Sequence, residues 1–214
     1  MDAVPPPHPD LVAEEIVDQN AADAGELLVL RDYRTLDGLS TRVVVERDPA
    51  PLRPCARAES HLRLPGGELV PLAQDPGTDE LAVLPEDPQL VVPRMRELAD
   101  RLRAAALHVL DETNEGVVRD ELHHRPGNPV QQLVRYRRTG GVLRRVTVSR
   151  SGNRFNPDPC RTVVEEFGAD RRWSTLHRMI GLTGWHARTV DHAETNRQLL
   201  AGIADRVHDE TVAR

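Results

Sequence analysis

The sequence has no lysine, few aromatic residues and only two cysteines, and each shortage limits what the chain can be. All 28 basic residues among the 214 are arginine, a bias typical of GC-rich codon usage rather than of selection for guanidinium chemistry. Aromatic residues make up 3% of the chain, so the core is predicted to be aliphatic. Two cysteines do not make a disulfide framework. The composition therefore predicts a globular chain with an aliphatic core.

Membrane segments, targeting signals and catalytic motifs are also absent from the sequence. No apolar run reaches the roughly 20 residues that cross a bilayer. The N-terminus, M-D-A-V-P-P-P-H-P-D, lacks the basic flank and apolar block of a signal peptide, so we expect a cytoplasmic protein with no membrane association. There is no H-E-x-x-H, C-x-x-C, P-loop, G-x-S-x-G or G-x-G-x-x-G pattern. We therefore predict no cofactor, no metal and no catalytic residue, which favours a non-enzymatic protein.

The sequence of a basic hairpin in the second half of the chain is similar to a segment near the N-terminus. Residues 28–47 and 133–150 both read L-V, then R-T, then a glycine turn, then R-V-x-V-x-R. The matching arginines and valines of the second strands lie 103 residues apart, whereas Cys55 and Cys160 lie 105 apart. A period near 100 residues is typical of a repeated domain. The pattern therefore indicates an internal duplication, with both cysteines at one repeat position as small core residues.

The predicted fold class is α+β, a tandem duplication of a ββββα unit whose antiparallel sheets are each packed by an amphipathic helix. Helical spacing of Leu11, Val12 and Ile16 adds a short N-terminal helix before the first unit. Residues 1–9 are predicted to be a disordered Pro-rich tail, 10–113 an acidic first half and 114–214 a basic second half. The main helices are expected from Pro93 to about Asp111 and after a capping box at Asp191, and residues 114–129 are expected to form a loop.

This predicted order of four strands and a helix, used twice, resembles the whirly and PUR-type nucleic-acid-binding folds and the sporulation regulators of actinobacteria. The resemblance is one of topology and no family motif carries it. It implies a sheet surface that binds nucleic acid, without assigning any residue to the site.

Charge is divided unevenly along the chain. Residues 1–118 hold 11 arginines and 23 carboxylates, a balance of −12, whereas residues 119–188 hold 14 arginines and 6 carboxylates, a balance of +8. The hairpin supplies a candidate anion site, because guanidinium groups match the geometry of phosphate and carboxylate. Its residues are Arg135, Arg137, Arg144 and Arg145, with Tyr136 beside them. The alternative is that these arginines lie on a solvated face or pair with acidic residues.

Three functional hypotheses remain open. The first is a binding or adaptor protein whose Arg-rich half docks a polyanion, such as nucleic acid, or an acidic protein surface. The second is a small-molecule enzyme or ligand carrier with a pocket between sheet and helices, built from His186, His192, Glu194 and nearby arginines. The third is a structural subunit of a homo-oligomer held together by its charge-complementary halves.

Overall fold

The computed structural model describes residues 8–18, 27–35, 39–48, 55–75, 82–125, 128–150, 161–180 and 193–213. The chain divides into two compact units, Met1–Leu107 and His108–Arg214. Each unit contains one antiparallel five-stranded sheet in which strands follow one another in sequence order. The predicted α+β class is therefore confirmed at the level of two antiparallel sheets and two helices.

The first unit is a meander of five strands followed by a helix. Its elements are β1 (Leu11–Asp18), β2 (Leu27–Arg34), β3 (Ser40–Asp48), β4 (Cys55–Arg63), β5 (Leu69–Asp75) and α1 (Pro88–Leu110). One side of the sheet is buried, with Val29, Val43 and Val45 fully inaccessible to solvent. Met95 and Leu98 of α1 are also buried. Alternation along the strands therefore separates a core side from a more exposed side, as the period of two requires.

The second unit has the same order of elements. It comprises β6 (Gly116–Arg125), β7 (Asn128–Thr139), β8 (Val142–Arg150), β9 (Arg161–Phe167), β10 (Trp173–Ile180) and α2 (Ala193–Val212). Helix α2 covers one side of the sheet, where its buried Leu200, Ile203, Ala204 and Val207 pack on aliphatic residues of β7, β8 and β9. We call this side the helix face and the other side the opposite face. Gly140 and Gly141 close the β7–β8 hairpin with φ of 58° and 78°, a conformation that favours glycine.

The prediction of a short N-terminal helix was wrong, because residues 11–18 form strand β1. The alternation of buried and exposed residues is shifted by a β-bulge between Leu11 and Ala13, so the apolar residues fall at a helix-like spacing. The β-branched residues in this segment favour a strand. The carboxylate of Glu14 also pairs with the buried Arg31 and with the partly exposed Arg96 of α1.

The expected loop over residues 114–129 was also wrong, because it contains β6 and the start of β7. Each unit thus has five strands where four were expected. The segment is rich in charge, and Asp120 and Glu121 fill core-directed or buried positions because arginines pair with them. Because β6 contains these charged residues, its sequence resembles that of a surface loop.

Helix α1 begins five residues before the expected Pro93. The side chain of Asp87 accepts a hydrogen bond of 2.9 Å from the backbone N–H of Gln89, which caps the helix. Pro88 takes the first helical position, where its missing N–H costs nothing. No helix within the described ranges is long and apolar enough to cross a membrane.

Candidate functional site

The five predicted anion-site residues do not lie on one surface. Arg135, Arg137 and Arg144 lie on the helix face of the second sheet, whereas Tyr136 and Arg145 lie on the opposite face. Arg137 pairs with Asp205 and Asp209 of α2, and Arg144 with Glu166 of β9 over 2.8 Å. The helix-face guanidinium groups are therefore occupied by carboxylates of the same unit.

Arg135 is the most completely enclosed of these arginines, with 9% of its surface exposed. Its Nε and Nη2 donate to both oxygens of Asp120 on β6, each over 2.7 Å. Its Nη1 donates to Asp205 over 2.8 Å and to the carbonyl oxygen of Ala201, one turn earlier in α2. The hydrogen bond to Asp120 raises the pKa of Arg135 further above its ordinary value. This arginine joins the edge strand β6, the neighbouring strand β7 and helix α2 in one ion-pair network.

The first unit contains the same network, which was not predicted from the sequence. Arg31 on β2 is 3% exposed and lies 3.1 Å from Glu14 of β1, its partner in strand register. Its Nη1 donates to Asp100 of α1 over 2.6 Å and to the carbonyl oxygen of Arg96, again one turn earlier. Each sheet is therefore joined to its helix through a buried arginine with an edge-strand carboxylate and a helix aspartate.

The two helices also present matching buried residues. The segment L-A-D-R-L-R of α1, residues 98–103, and the segment I-A-D-R-V-H of α2, residues 203–208, share a pattern 105 residues apart. Ala99 and Ala204 are both fully buried, so each helix approaches its surroundings through a small residue at the same position. The sequence signal for the matching helices is the shared Ala-Asp-Arg, whose two copies are 105 residues apart, as are the two cysteines.

The opposite face of the second sheet carries an aromatic cluster beside Arg145. The guanidinium of Arg145 lies 4.3 Å from the ring centroid of Trp173 and its Nε donates to Glu165 over 2.7 Å. The Trp173 ring lies 4.9 Å from that of Phe167 and 6.0 Å from that of Tyr136. Leu143 and Val109 complete the cluster. The fold thus gathers three of the six aromatic residues of the chain next to an arginine.

Tyr136 is buried at the β6 side of this cluster. Its hydroxyl donates to Glu121 over 3.4 Å, and Arg119 donates to the same carboxylate over 2.7 Å. Burial, followed by the charge of Glu121, raises the pKa of the Tyr136 hydroxyl well above its ordinary value. At 2% exposure the ring is a core residue and not a surface for stacking. Of the predicted pair on this face, only Arg145 is therefore within reach of a ligand.

Two further arginines stand on the opposite face near its β9–β10 edge. Arg161 and Arg178 are both exposed, and strand register makes them diagonal neighbours, since Arg178 pairs with Val163 and Ile180 with Arg161. Diagonal side chains on one face lie roughly 7–8 Å apart. No described residue forms a hydrogen bond or an ion pair with either guanidinium. Sequence reasoning missed them because two isolated arginines on separate strands form no motif.

The corresponding surface of the first unit is built differently. Register places Glu59 opposite Val44 and Gln74, just as Val163 lies opposite Thr147 and Arg178. The position of Val163 is therefore held by a carboxylate in the first unit, and that of Arg178 by an uncharged amide. Arg57 takes the place of Arg161, two residues before Glu59. The carboxylate that the first unit places at this position is therefore missing from the second unit, where the nearest carboxylate on the same face is Glu165, the partner of Arg145.

The residues predicted for the alternative pocket lie outside the described part of the chain or at its margin. His186, His192 and Cys160 lie outside the described residues, and Glu194 lies in the first turn of α2, where only the backbone is described. Cys55 is a partly buried residue at the start of β4. Within the part of the chain that the structure describes, no group of three or more His, Cys, Asp or Glu residues could hold a metal ion.

Comparison with protein-family models, curated proteins and solved structures finds no match for this chain.

Proposed function

We propose that the protein is a non-enzymatic binding or adaptor protein that docks an extended polyanion on the opposite face of the second sheet. The docking surface is formed by Arg161, Arg178 and Arg145, with Trp173 at one end. The surface excludes Arg135, Arg137 and Arg144, whose guanidinium groups on the helix face already pair with carboxylates of the same unit.

The observation that carries the proposal is the diagonal pair Arg161 and Arg178. Like charges at neighbouring positions on one sheet face repel each other unless an anion lies between them. Their exposed position keeps both guanidinium groups available to a ligand. A bound phosphate or carboxylate that bridges the pair removes this repulsion and adds charge-assisted hydrogen bonds. The overall balance of +8 over residues 119–188 favours the approach of such a ligand.

Salt-dependent binding of a polyanion tests the proposal. The affinity of the full chain for heparin and for oligonucleotides is measured at several salt concentrations, for the wild type and for the double variant Arg161→Ala/Arg178→Ala. We expect binding that weakens linearly in log[salt], with a slope smaller by about one unit for each arginine removed. The matched control is Arg34→Ala/Arg94→Ala, which removes one exposed and one partly exposed arginine from the acidic unit and should bind as the wild type does. Equal affinities for the two double variants would contradict the proposal.

We also propose that the two units arose by tandem duplication of one βββββα unit. The shared element order supports this, as do the bulges in each outermost strand, which fall at corresponding positions in the two units. The matching ion-pair networks of Arg31 and Arg135 also support duplication, because two unrelated valine-rich hairpins would not need to share them. Exchanging a core residue for its counterpart, Ile203→Leu, should cost less than about 1.5 kcal/mol. A loss of several kcal/mol in urea unfolding would argue against equivalent packing.

A further inference from the structure

We infer that the polyanion is single-stranded nucleic acid, with an unpaired base stacked at the Arg145–Trp173 pair and backbone phosphates on Arg161 and Arg178. This inference rests on the proposed docking surface and adds the class of ligand. An acidic protein segment would pair with the arginines equally well, but its carboxylates would not stack on the ring of Trp173.

The ring of Trp173 is held in place before any ligand arrives. Phe167, directly opposite it in strand register, packs at 4.9 Å and Tyr136 packs edge-on at 6.0 Å. Arg145 lies over the ring and is itself fixed by Glu165. Trp173 is partly exposed, in contrast to the buried Tyr136. A base that stacks on this indole or on the guanidinium above it loses little side-chain entropy, because both groups are already ordered.

The distance between the stacking group and the arginine pair suits a chain of nucleotides rather than one small anion. Trp173 pairs with Phe167 and Arg178 with Val163, so four residues of β9 separate the two levels of the sheet. At about 3.4 Å per residue the separation is roughly 14 Å. A single phosphate cannot contact both groups. A strand with alternating bases and phosphates can, and non-specific single-strand binders combine a positive groove with aromatic side chains in this way.

Tryptophan fluorescence reports the stacking directly. The chain has two tryptophans, so the variant Trp185→Phe leaves Trp173 as the single emitter. The full chain carrying this change is titrated at low salt with an oligothymidylate of about 12 nucleotides, with heparin and with poly-glutamate. We expect the oligothymidylate to bind and quench the emission of Trp173, and heparin to bind through charge without quenching.

The variants Trp173→Phe and Trp173→Leu separate stacking from charge. Loss of one stacked base corresponds to a roughly 5- to 100-fold loss of affinity. We expect Trp173→Leu to lose oligothymidylate affinity in this range while its heparin affinity stays the same, and Trp173→Phe, which keeps a ring and should preserve the local packing, to lose less. Circular dichroism confirms that each variant is folded.

The results of these titrations distinguish failure of the nucleic-acid inference from failure of the proposed polyanion docking. Oligothymidylate binding without quenching, with affinity unchanged in Trp173→Leu, overturns the nucleic-acid inference and leaves polyanion docking in place. Tighter binding of poly-glutamate than of oligothymidylate also overturns it, in favour of an acidic protein surface. If none of the three polyanions binds, the proposed function fails together with the inference.

Discussion

Arg135 of the second sheet and Asp205 of its helix are joined by a hydrogen bond of 2.8 Å while the same guanidinium holds Asp120 with its other two nitrogens. The contact fixes α2 against the sheet and uses an arginine that the sequence would assign to a ligand. A buried ion pair has a large desolvation cost, so breaking it leaves a charge with no compensation.

Removal of this arginine should therefore destabilise the protein. We expect Arg135→Ala to lower the free energy of unfolding by about 3 to 5 kcal/mol, because Asp120 is left partly buried without its partner. Arg31→Ala should have a similar effect in the first unit, where the same three contacts are made. Urea unfolding measures both. Arg94→Ala, an exposed i,i+3 pair with Glu97, is the control and should change stability by less than about 0.5 kcal/mol. Comparable losses in control and core variants would refute a structural role.

The two buried alanines should tolerate no larger side chain. Ala99 and Ala204 are both fully enclosed, so Ala99→Leu or Ala204→Leu should cost about 1 to 3 kcal/mol through overpacking. Ala104 is exposed on the outer side of α1, and Ala104→Leu should be close to neutral. Thermal unfolding followed by circular dichroism distinguishes them. A neutral Ala204→Leu would mean that α2 has room at this position.

Stability should depend on pH through Asp32. Two hydrogen bonds from Arg42, of 2.8 and 2.7 Å, hold the pKa of the Asp32 carboxyl below its ordinary value, although burial acts against this. A lowered pKa in the folded state stabilises the protein above the unfolded pKa of about 3.9, and the gain disappears as the pH falls through the folded value. Asp32→Asn should thus be less stable than the wild type by about 1 kcal/mol near pH 7.

The difference between Asp32→Asn and the wild type should shrink as the pH falls below about 4. Urea unfolding over this pH range provides the measurement. Glu59→Gln is the control on the same side of the sheet, since its side chain is 53% exposed and its carboxylate lies 3.6 Å from His61, a longer contact than those of Asp32. A stability difference for Asp32→Asn that stays constant down to about pH 3 would show that the Arg42 contact contributes nothing through ionisation.

The strands that sequence reasoning found and those it missed differ in what they bury. The buried residues of β3 and β8 include Val43, Val45, Val146 and Val148, and β-branched aliphatic residues of this kind predict a strand. In β1 and β6 the residues that point toward the core include Glu14 and Asp120, and both strands carry a bulge. From the sequence alone, a carboxylate predicts a surface position. Its burial can be predicted only when the arginine that pairs with it, on another strand, is known.

The candidate site also depends on contacts between strands that are distant in the sequence. The period of two along β7 and β8 places Arg135 and Arg137 on the side away from Tyr136, and Arg144 on the side away from Arg145. It could not indicate which side of the hairpin α2 would cover, because that depends on contacts made about 70 residues further along the chain. Arg161 and Arg178 become neighbours only through the pairing of β9 with β10. Register between strands is thus the information that the linear pattern lacks.

Restoring the counter-charge of the first unit tests the docking surface most directly. Val163→Glu places a carboxylate between Arg161 and Arg178, as Glu59 stands at the corresponding position, and Val163→Gln is the uncharged control of similar size. We predict that Val163→Glu binds oligothymidylate and heparin at low salt about tenfold or more weakly, while Val163→Gln binds within about twofold of the wild type. Equal affinities of the two variants for both polyanions would contradict a docking site at Arg161 and Arg178.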